Sequence, residues 1–182
     1  MQVELTPIPG LLVLKPKVWE DDRGYFYESY NYRMLAAAGI TADFVQDNQS
    51  KSTKGVLRGL HYQTGAFQQA KLVRVVQGEV FDVALDLRED APTYGQWYGL
   101  HLSAANKHQL FIPRGFAHGF VVLSDTAEFL YKTDNYYARD HEAGIRFDDP
   151  QLGIDWQLPA DQIVLSDKDQ LLPDFGQHTP IA

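Results

Sequence analysis

The chain contains no cysteine. That absence removes a disulfide framework, a thiolate metal site and a cysteine nucleophile from consideration, and it fits a cytoplasmic protein. No apolar run approaches the ~20 residues needed to cross a bilayer, so no membrane association is expected. The first ten residues, MQVELTPIPG, lack a basic stretch followed by an apolar core and do not read as a signal peptide. Positive charge is also scarce: 16 Lys and Arg against 24 Asp and Glu give a net charge of −8. No Lys/Arg-rich block offsets it, so nucleic acid is not an expected partner. An anionic small ligand is still allowed where a few cations converge. Three motifs are missing as well: G-x-S-x-G, a Walker-type loop and G-x-G-x-x-G. Their absence leaves no visible serine nucleophile, triphosphate cradle or dinucleotide site.

What is present describes a globular chain. Its 182 residues, 45% hydrophobic and 22% charged, suit a single domain spanning residues 1–182. Ten Tyr and ten Phe favour strands and flat apolar pockets. One helix is expected in SYNYRMLAAAGI, with Asn31 as its cap, helix formers from Met34 to Ala38, and Gly39 to close it. Elsewhere short strands alternate with turn residues. KLVRVVQGEVFDVALDLR reads as two strands joined at Gln77-Gly78. More are expected at 96–102, 109–112, 120–123 and 127–133. This spacing predicts a mainly β protein, a sandwich, barrel or jelly roll. From Asp140 onward the chain is polar and irregular, like a tail wrapped on a barrel. Alternation in VFDVALDL separates Phe81, Val83, Leu85 and Leu87, taken as the core face, from Asp82, Ala84 and Asp86. The second set is expected to face water or a polar cavity.

Two segments place histidine on strands: LHYQ with His61, and PRGFAHGF with His118. The second resembles half of a cupin metal motif, but the position two after His61 is Gln63 and no carboxylate follows before Lys71. Two histidines are too few for a catalytic metal centre, so no metal is expected. The remaining possibility is acid–base chemistry from Arg58, His61, Lys71, Asp82, His118 and Tyr131. An imidazole titrates near working pH and can take a proton alpha to a ketone. A lysine or second histidine can stabilise the enolate, and a tyrosine can return the proton to the other face. Spacing alone leaves open whether these side chains converge.

Long motifs now carry a resemblance. DDRGYFYESYN (21–31), FVQDNQSKSTKGVLRGLHYQ (44–63), KLVRVVQGEVFDVALDLR (71–88), PTYGQW (92–97), IPRGFAHGFVVLS (112–124), EFLYKT (128–133) and LSDKD (165–169) occur in one order. Together they resemble the dTDP-4-dehydrorhamnose 3,5-epimerases. The resemblance implies a cupin-type jelly roll acting as a homodimer without cofactor or metal. It also implies epimerisation at C3 and C5 of a dTDP-4-keto-6-deoxy sugar. His61 would be the base, Asp169 its orienting carboxylate with Asp82 as local competitor, Tyr131 the acid and Lys71 the enolate-stabilising cation. Arg58 and His118 would line the sugar and diphosphate region. Arg23, Glu28, Gln46, Asp47, Asn48, Glu142 and Lys168 match nucleotide-binding positions, and Tyr137 would stack on the thymine. One departure is Arg114, where relatives commonly have a small residue; it reads as a solvated turn. Three alternatives stand beside this reading: a C3-only or C5-only epimerase, a non-catalytic sugar-nucleotide binding module, and a metal-dependent cupin.

A geometric requirement follows. In a regular strand through GVLRGLHYQ, Leu57, Gly59 and His61 share one face, with Arg58 and Leu60 on the other. Arg58 and His61 can share a cavity only if a bulge or twist near Gly59 resets the parity.

Overall fold

The computed structural model describes all 182 residues. In chain order the elements begin with β1 (Gln2–Leu5), β2 (Leu12–Lys15), β3 (Trp19–Asp21), β4 (Gly24–Phe26) and helix α1 (Tyr32–Ala37). There follow β5 (Gln46–Thr53), β6 (Leu57–Gln63), β7 (Lys71–Gln77), β8 (Glu79–Asp86), β9 (Trp97–Ser103) and β10 (Gln109–Ile112). β11 (Phe116–Val122), β12 (Thr126–Thr133), β13 (Glu142–Gly144) and the short helix α2 (Asp167–Gln170) complete the chain. Two antiparallel sheets face each other in the jelly-roll manner. One runs β1-β2-β10-β7-β12-β5 and the other β13-β6-β11-β8-β9, while β3 and β4 form a separate hairpin.

Alternation along each strand decides what fills the gap between the sheets. Val73, Val75, Leu110, Ile112, Ala127 and Phe129 point inward from the six-stranded sheet and meet Val80, Ala84, Phe116, Phe120 and Val122 from the other. Each buried Val, Leu, Ile or Phe among them contributes roughly 1.5–3 kcal/mol. Two outer layers protect the backs of the sheets. Helix α1 and the turn after it set Leu35 and Ile40 against Leu12, Leu14, Leu72 and Phe111. The C-terminal segment sets Ile145, Leu152, Trp156 and Ile181 against Leu57, Leu60, Tyr62, Phe81, Val83, Leu85 and Val121.

The alternation in β8 therefore has a different meaning from the one expected. Phe81, Val83, Leu85 and Leu87 are buried beneath the C-terminal segment rather than in the inter-sheet core. Asp82 and Asp86 are fully buried and face no solvent. Asp86 is held by Arg88 and Thr93, with hydrogen bonds of 2.6 Å to its Oδ2 from each. A binary pattern shows which residues share a face, and here both faces of the strand are covered. The Gln77-Gly78 joint is likewise a corner: β7 and β8 lie in different sheets. Gly78 has φ +75°, and a Cβ there would stand 2.0 Å from the Thr126 carbonyl oxygen. Helix α1 follows the sequence closely, since Asn31 accepts from the Met34 N–H and Gly39 takes φ +84° after the last turn. β11 begins four residues before the expected 120, because its His118-Gly119 step broke the apolar pattern.

The parity reset is present. On β6 the register passes from His61↔His118 to Arg58↔Phe120, so three steps on one strand oppose two on its partner. Leu57 and Leu60 consequently share the outer cluster, while Arg58 and His61 both line the interior cavity. Two glycines make this possible. Gly59 has φ +131°, and a Cβ on it would lie 2.5 Å from Gly119 Cα. A Cβ on Gly119 would lie 2.8 Å from the Arg58 carbonyl oxygen. Gly59→Ala is expected to cost about 3 kcal/mol or more in urea-unfolding free energy, from a forbidden φ combined with a backbone clash. Gly24→Ala, at φ +129° with no atom within 4 Å of the added Cβ, is expected to cost only about 1–2 kcal/mol.

Candidate active site

One end of the inter-sheet space is open and polar, a cavity of about 470 Å³. Its walls follow directly from strand parity. β6 contributes Arg58, His61 and Gln63, and β11 contributes His118. Across the gap, β7 contributes Lys71, β12 Tyr131, and β5 Asn48 and Ser50. His61 and Tyr131 thus stand on opposing sheets. Helix α2 closes the rim from the C-terminal segment and brings in Asp169, which is far away in sequence.

The two histidines each have a carboxylate, and the pairs are distinct. His61 Nε2 lies 2.5 Å from Asp169 Oδ1. His118 Nε2 lies 2.9 and 3.1 Å from the two Asp82 oxygens. The competition between Asp82 and Asp169 for His61 is thereby resolved by geometry. Asp82 is committed to His118, deeper in the cavity, where neither is more than 7% exposed. Asp169 sits in the first turn of α2, whose Ser166 cap accepts its backbone N–H at 3.2 Å. The helix cap therefore fixes the carboxylate's position.

Burial sets the charge states. Burial pushes the Asp169 carboxyl upward, but the His61 hydrogen bond and charge, the Ser166 hydroxyl and Lys168 outweigh it and hold the group below its usual range. Desolvation lowers the His118 pKa despite Asp82, with Lys71 and His61 adding to the decrease, so His118 is a neutral ring near pH 7. Desolvation also lowers the Lys71 ammonium to about 8, against the opposing pull of Asp82 and Glu142. The Tyr131 phenol is raised by burial and further by Glu142, with Arg58 opposing. Arg58 is braced by a 3.1 Å hydrogen bond from Nε to the buried Ser52 hydroxyl.

The rim is a second polar network. Glu142 binds Lys168 at 2.5 Å and accepts the Tyr137 hydroxyl at 2.7 Å. Gln46 donates to Asn48 Oδ1 at 2.8 Å and accepts the Tyr137 N–H at 3.4 Å. Gln46, Asn48, Tyr137, Glu142 and Lys168 therefore form one connected rim. Three residues of the expected set lie elsewhere in this chain. Asp47 takes the opposite face of β5 and pairs with Lys132 at 2.6 Å on the outside of the sheet, a consequence of simple alternation. Arg23 is almost fully exposed in the turn of the β3–β4 hairpin, paired with Asp21. Glu28 accepts from Asn31 Nδ2 at 3.1 Å ahead of α1. Arg114 binds Asp134 at 2.9 Å on the outer side, away from the cavity.

Sequence reasoning missed Ser52, Ser166 and Gln63. Alternation in QDNQSKST would have put Ser52 with Gln46 and Asn48, and apart from Asp47. S-D-K-D carries the pattern of a capped helical turn. No three His, Asp or Glu side chains converge as a metal-ligand group, and each of the two cavity histidines is taken by one carboxylate.

Comparison with known proteins identifies a family. The family model described as dTDP-4-dehydrorhamnose 3,5-epimerase matches residues 5–177. The dTDP-4-dehydrorhamnose 3,5-epimerase of Shigella flexneri is 56% identical over 170 residues, 93% of each chain. Among solved structures, the Elizabethkingia anophelis enzyme of the same name superposes with a TM-score of 0.93 at 52% identity, over 97% of each chain. The dTDP-6-deoxy-D-glucose-3,5-epimerase of Legionella pneumophila, solved in complex with dTDP-4-keto-L-rhamnose, has a TM-score of 0.93 at 50% identity, covering 97% of this chain and 93% of that one. The cavity, its paired histidines and the near end-to-end match agree: the chain belongs to the dTDP-4-dehydrorhamnose 3,5-epimerase family.

Proposed function

We propose that this protein inverts C3 and C5 of dTDP-4-dehydro-6-deoxy-D-glucose to give dTDP-4-dehydro-L-rhamnose. The observation that carries the reading is the placement of His61 and Tyr131 on opposing sheets, with Lys71 beside them in the same cavity. A sugar ring lying between the sheets then meets a base on one face and an acid on the other.

The chemistry balances without any further reagent. The His61 nitrogen not bonded to Asp169 takes the proton from the carbon next to the ketone. The C–H electron pair becomes the enolate double bond, and the carbonyl pair moves onto oxygen. The Lys71 ammonium stabilises that charge in a low-dielectric cavity. Tyr131 then protonates the same carbon from the opposite face, which inverts it. The imidazolium returns its proton to solvent and the tyrosinate regains one. The ketone flanks both C3 and C5, so one set of groups serves both carbons in turn. Asp169 stays ionised throughout and holds the imidazole in its orientation. The nucleotide would lie along the rim, its diphosphate toward Arg58 and its base against Tyr137.

The rest of the reading concerns assembly. We take residues 1–182 as one epimerase domain, because Asp169 reaches the cavity from the same segment that covers the outer sheet face. We place it in the cytoplasm as a homodimer. Trp19, Tyr25 and Phe26 expose a cluster of aromatic rings on the β3–β4 hairpin, and such patches mark contact surfaces. Arg23 lies in the turn of that hairpin, and we assign it, with Glu28, to the nucleotide site of a second copy of the chain.

Three measurements test these steps. In deuterated buffer, His61→Ala is expected to abolish deuterium incorporation at C3 and C5, followed by NMR, whereas Tyr131→Phe keeps exchange and loses inverted product. Inversion at one carbon alone in the native protein would move the reading to a single-centre epimerase. A pKa lowered to about 8 means that Lys71 is charged below that pH and neutral above it. Activity should therefore fall as pH rises through about 8, and Lys71→Gln should be slower and lack this limb of the pH–rate profile. Finally, a Tyr25→Ser/Phe26→Ser variant should sediment as a monomer where the native chain sediments as a dimer, and its dTDP affinity should drop to that of Arg23→Ala.

A further inference from the structure

Gln63 occupies an unusual position in this site. It follows His61 by two residues on the same inward face, one wall of the cavity, yet it is only 5% exposed. Its carboxamide is already committed to backbone. Oε1 accepts the Ala138 N–H at 2.6 Å, and Nε2 donates to the Tyr136 carbonyl at 3.3 Å and to the Phe67 carbonyl at 2.8 Å. Both amide hydrogens are used. The side chain has no donor left for a substrate, so its influence passes through the backbone it holds.

That backbone brackets Tyr137. The residue before it gives up its carbonyl, and the residue after it its N–H, to the same carboxamide. A side-chain amide has the donor–acceptor pair of a peptide group, so Gln63 substitutes for a β-ladder partner along a segment that lies outside any strand. The Tyr137 ring is otherwise held only at its ends, by the Gln46 Oε1 contact to its N–H and by Glu142 at its hydroxyl. More than half of Tyr137 is exposed at the cavity rim, as a stacking platform requires.

We propose that Gln63 is a positioning residue for nucleotide recognition: it locks the Tyr136–Ala138 backbone so that the Tyr137 ring stands ready for the base before ligand arrives. Preorganisation of this kind removes an ordering cost from binding. The inference rests on the reading of Tyr137 as the base-stacking residue. It predicts an effect on nucleotide affinity with little effect on the proton transfers at His61, two residues away on the same strand.

The test uses Gln63→Met, nearly isosteric without the polar atoms, and Gln63→Glu, which keeps the acceptor for Ala138 and loses both donors. Calorimetric titration with dTDP should show Gln63→Met about tenfold weaker, the scale of one unsatisfied buried N–H, and Gln63→Glu weakened as well. KM should rise in parallel, while kcat and deuterium exchange at saturating substrate stay within about twofold. The deciding comparison is a double-mutant cycle: in a Tyr137→Ala background, Gln63→Met should have no further effect on dTDP affinity. Additive losses would overturn the proposal in favour of a direct substrate contact, and unchanged dTDP affinity in both variants would also overturn it. Hydrogen exchange of the ligand-free protein provides an independent readout. Segment 134–141 should exchange faster in Gln63→Met, and unaltered protection there refutes the clamp. If the native protein fails to bind dTDP, the functional reading falls. The exchange result still decides whether Gln63 holds the loop.

Discussion

The whole site depends on a close approach between two backbones. Gly59 and Gly119 come together on neighbouring strands with no room for a Cβ on either, and the extra residue absorbed there turns Arg58 to the same side as His61. Without that reset, β6 would present either a cation or an imidazole to the cavity, but not both. The reset also sends Leu57 and Leu60 outward together, where the C-terminal segment covers them. A single irregularity thus serves two purposes, building the polar interior and completing the apolar exterior of one sheet.

Placing ionisable groups between two sheets has a cost, and the structure offsets it by pairing. Buried carboxylates are tolerated because each has a specific partner: Asp82 has His118, Asp169 has His61, and Asp86 has Arg88 and Thr93. No buried side-chain nitrogen or oxygen lacks a hydrogen bond. Lys71, only partly buried at the cavity wall, differs in lacking an ion pair, since no carboxylate lies within salt-bridge distance of it. Desolvation there lowers its pKa toward working pH. A cation left without a close protein counter-charge is suited to a negative charge that develops only during reaction.

Much of this was legible along the chain. The capped helix after Asn31 and the strands at 109–112 and 127–133 follow from local rules of capping and periodicity, and the bend at Gly59 follows from strand parity once Arg58 and His61 are required in one cavity. The set Arg58, His61, Lys71, Asp82, His118 and Tyr131 is visible as polar side chains on expected strands, without the convergence that the fold supplies. Other features were not. VFDVALDL reveals two faces but not their surroundings, because covering the apolar face requires the C-terminal segment that begins only at Ile145. The family resemblance sets Asp47 with Gln46 and Asn48, although alternation places it on the far side of the sheet. Arg23 and Glu28 were assigned by family pattern, and they lie outside the cavity of their own chain.

The sequence by itself determined the local geometry: which residues extend, where the chain must turn, and which side chains share a strand face. These depend on steric and periodic constraints acting over a few residues, and they survive without knowledge of the rest. The tertiary structure alone decided the partnerships. Asp169 reaches His61 across 108 positions of sequence, while Asp82 goes to His118. Gln63 closes on a loop more than seventy residues away. Such pairings depend on which sheet each strand joins and how the two sheets face each other, and that is fixed by burying apolar surface over the whole chain rather than by any short motif.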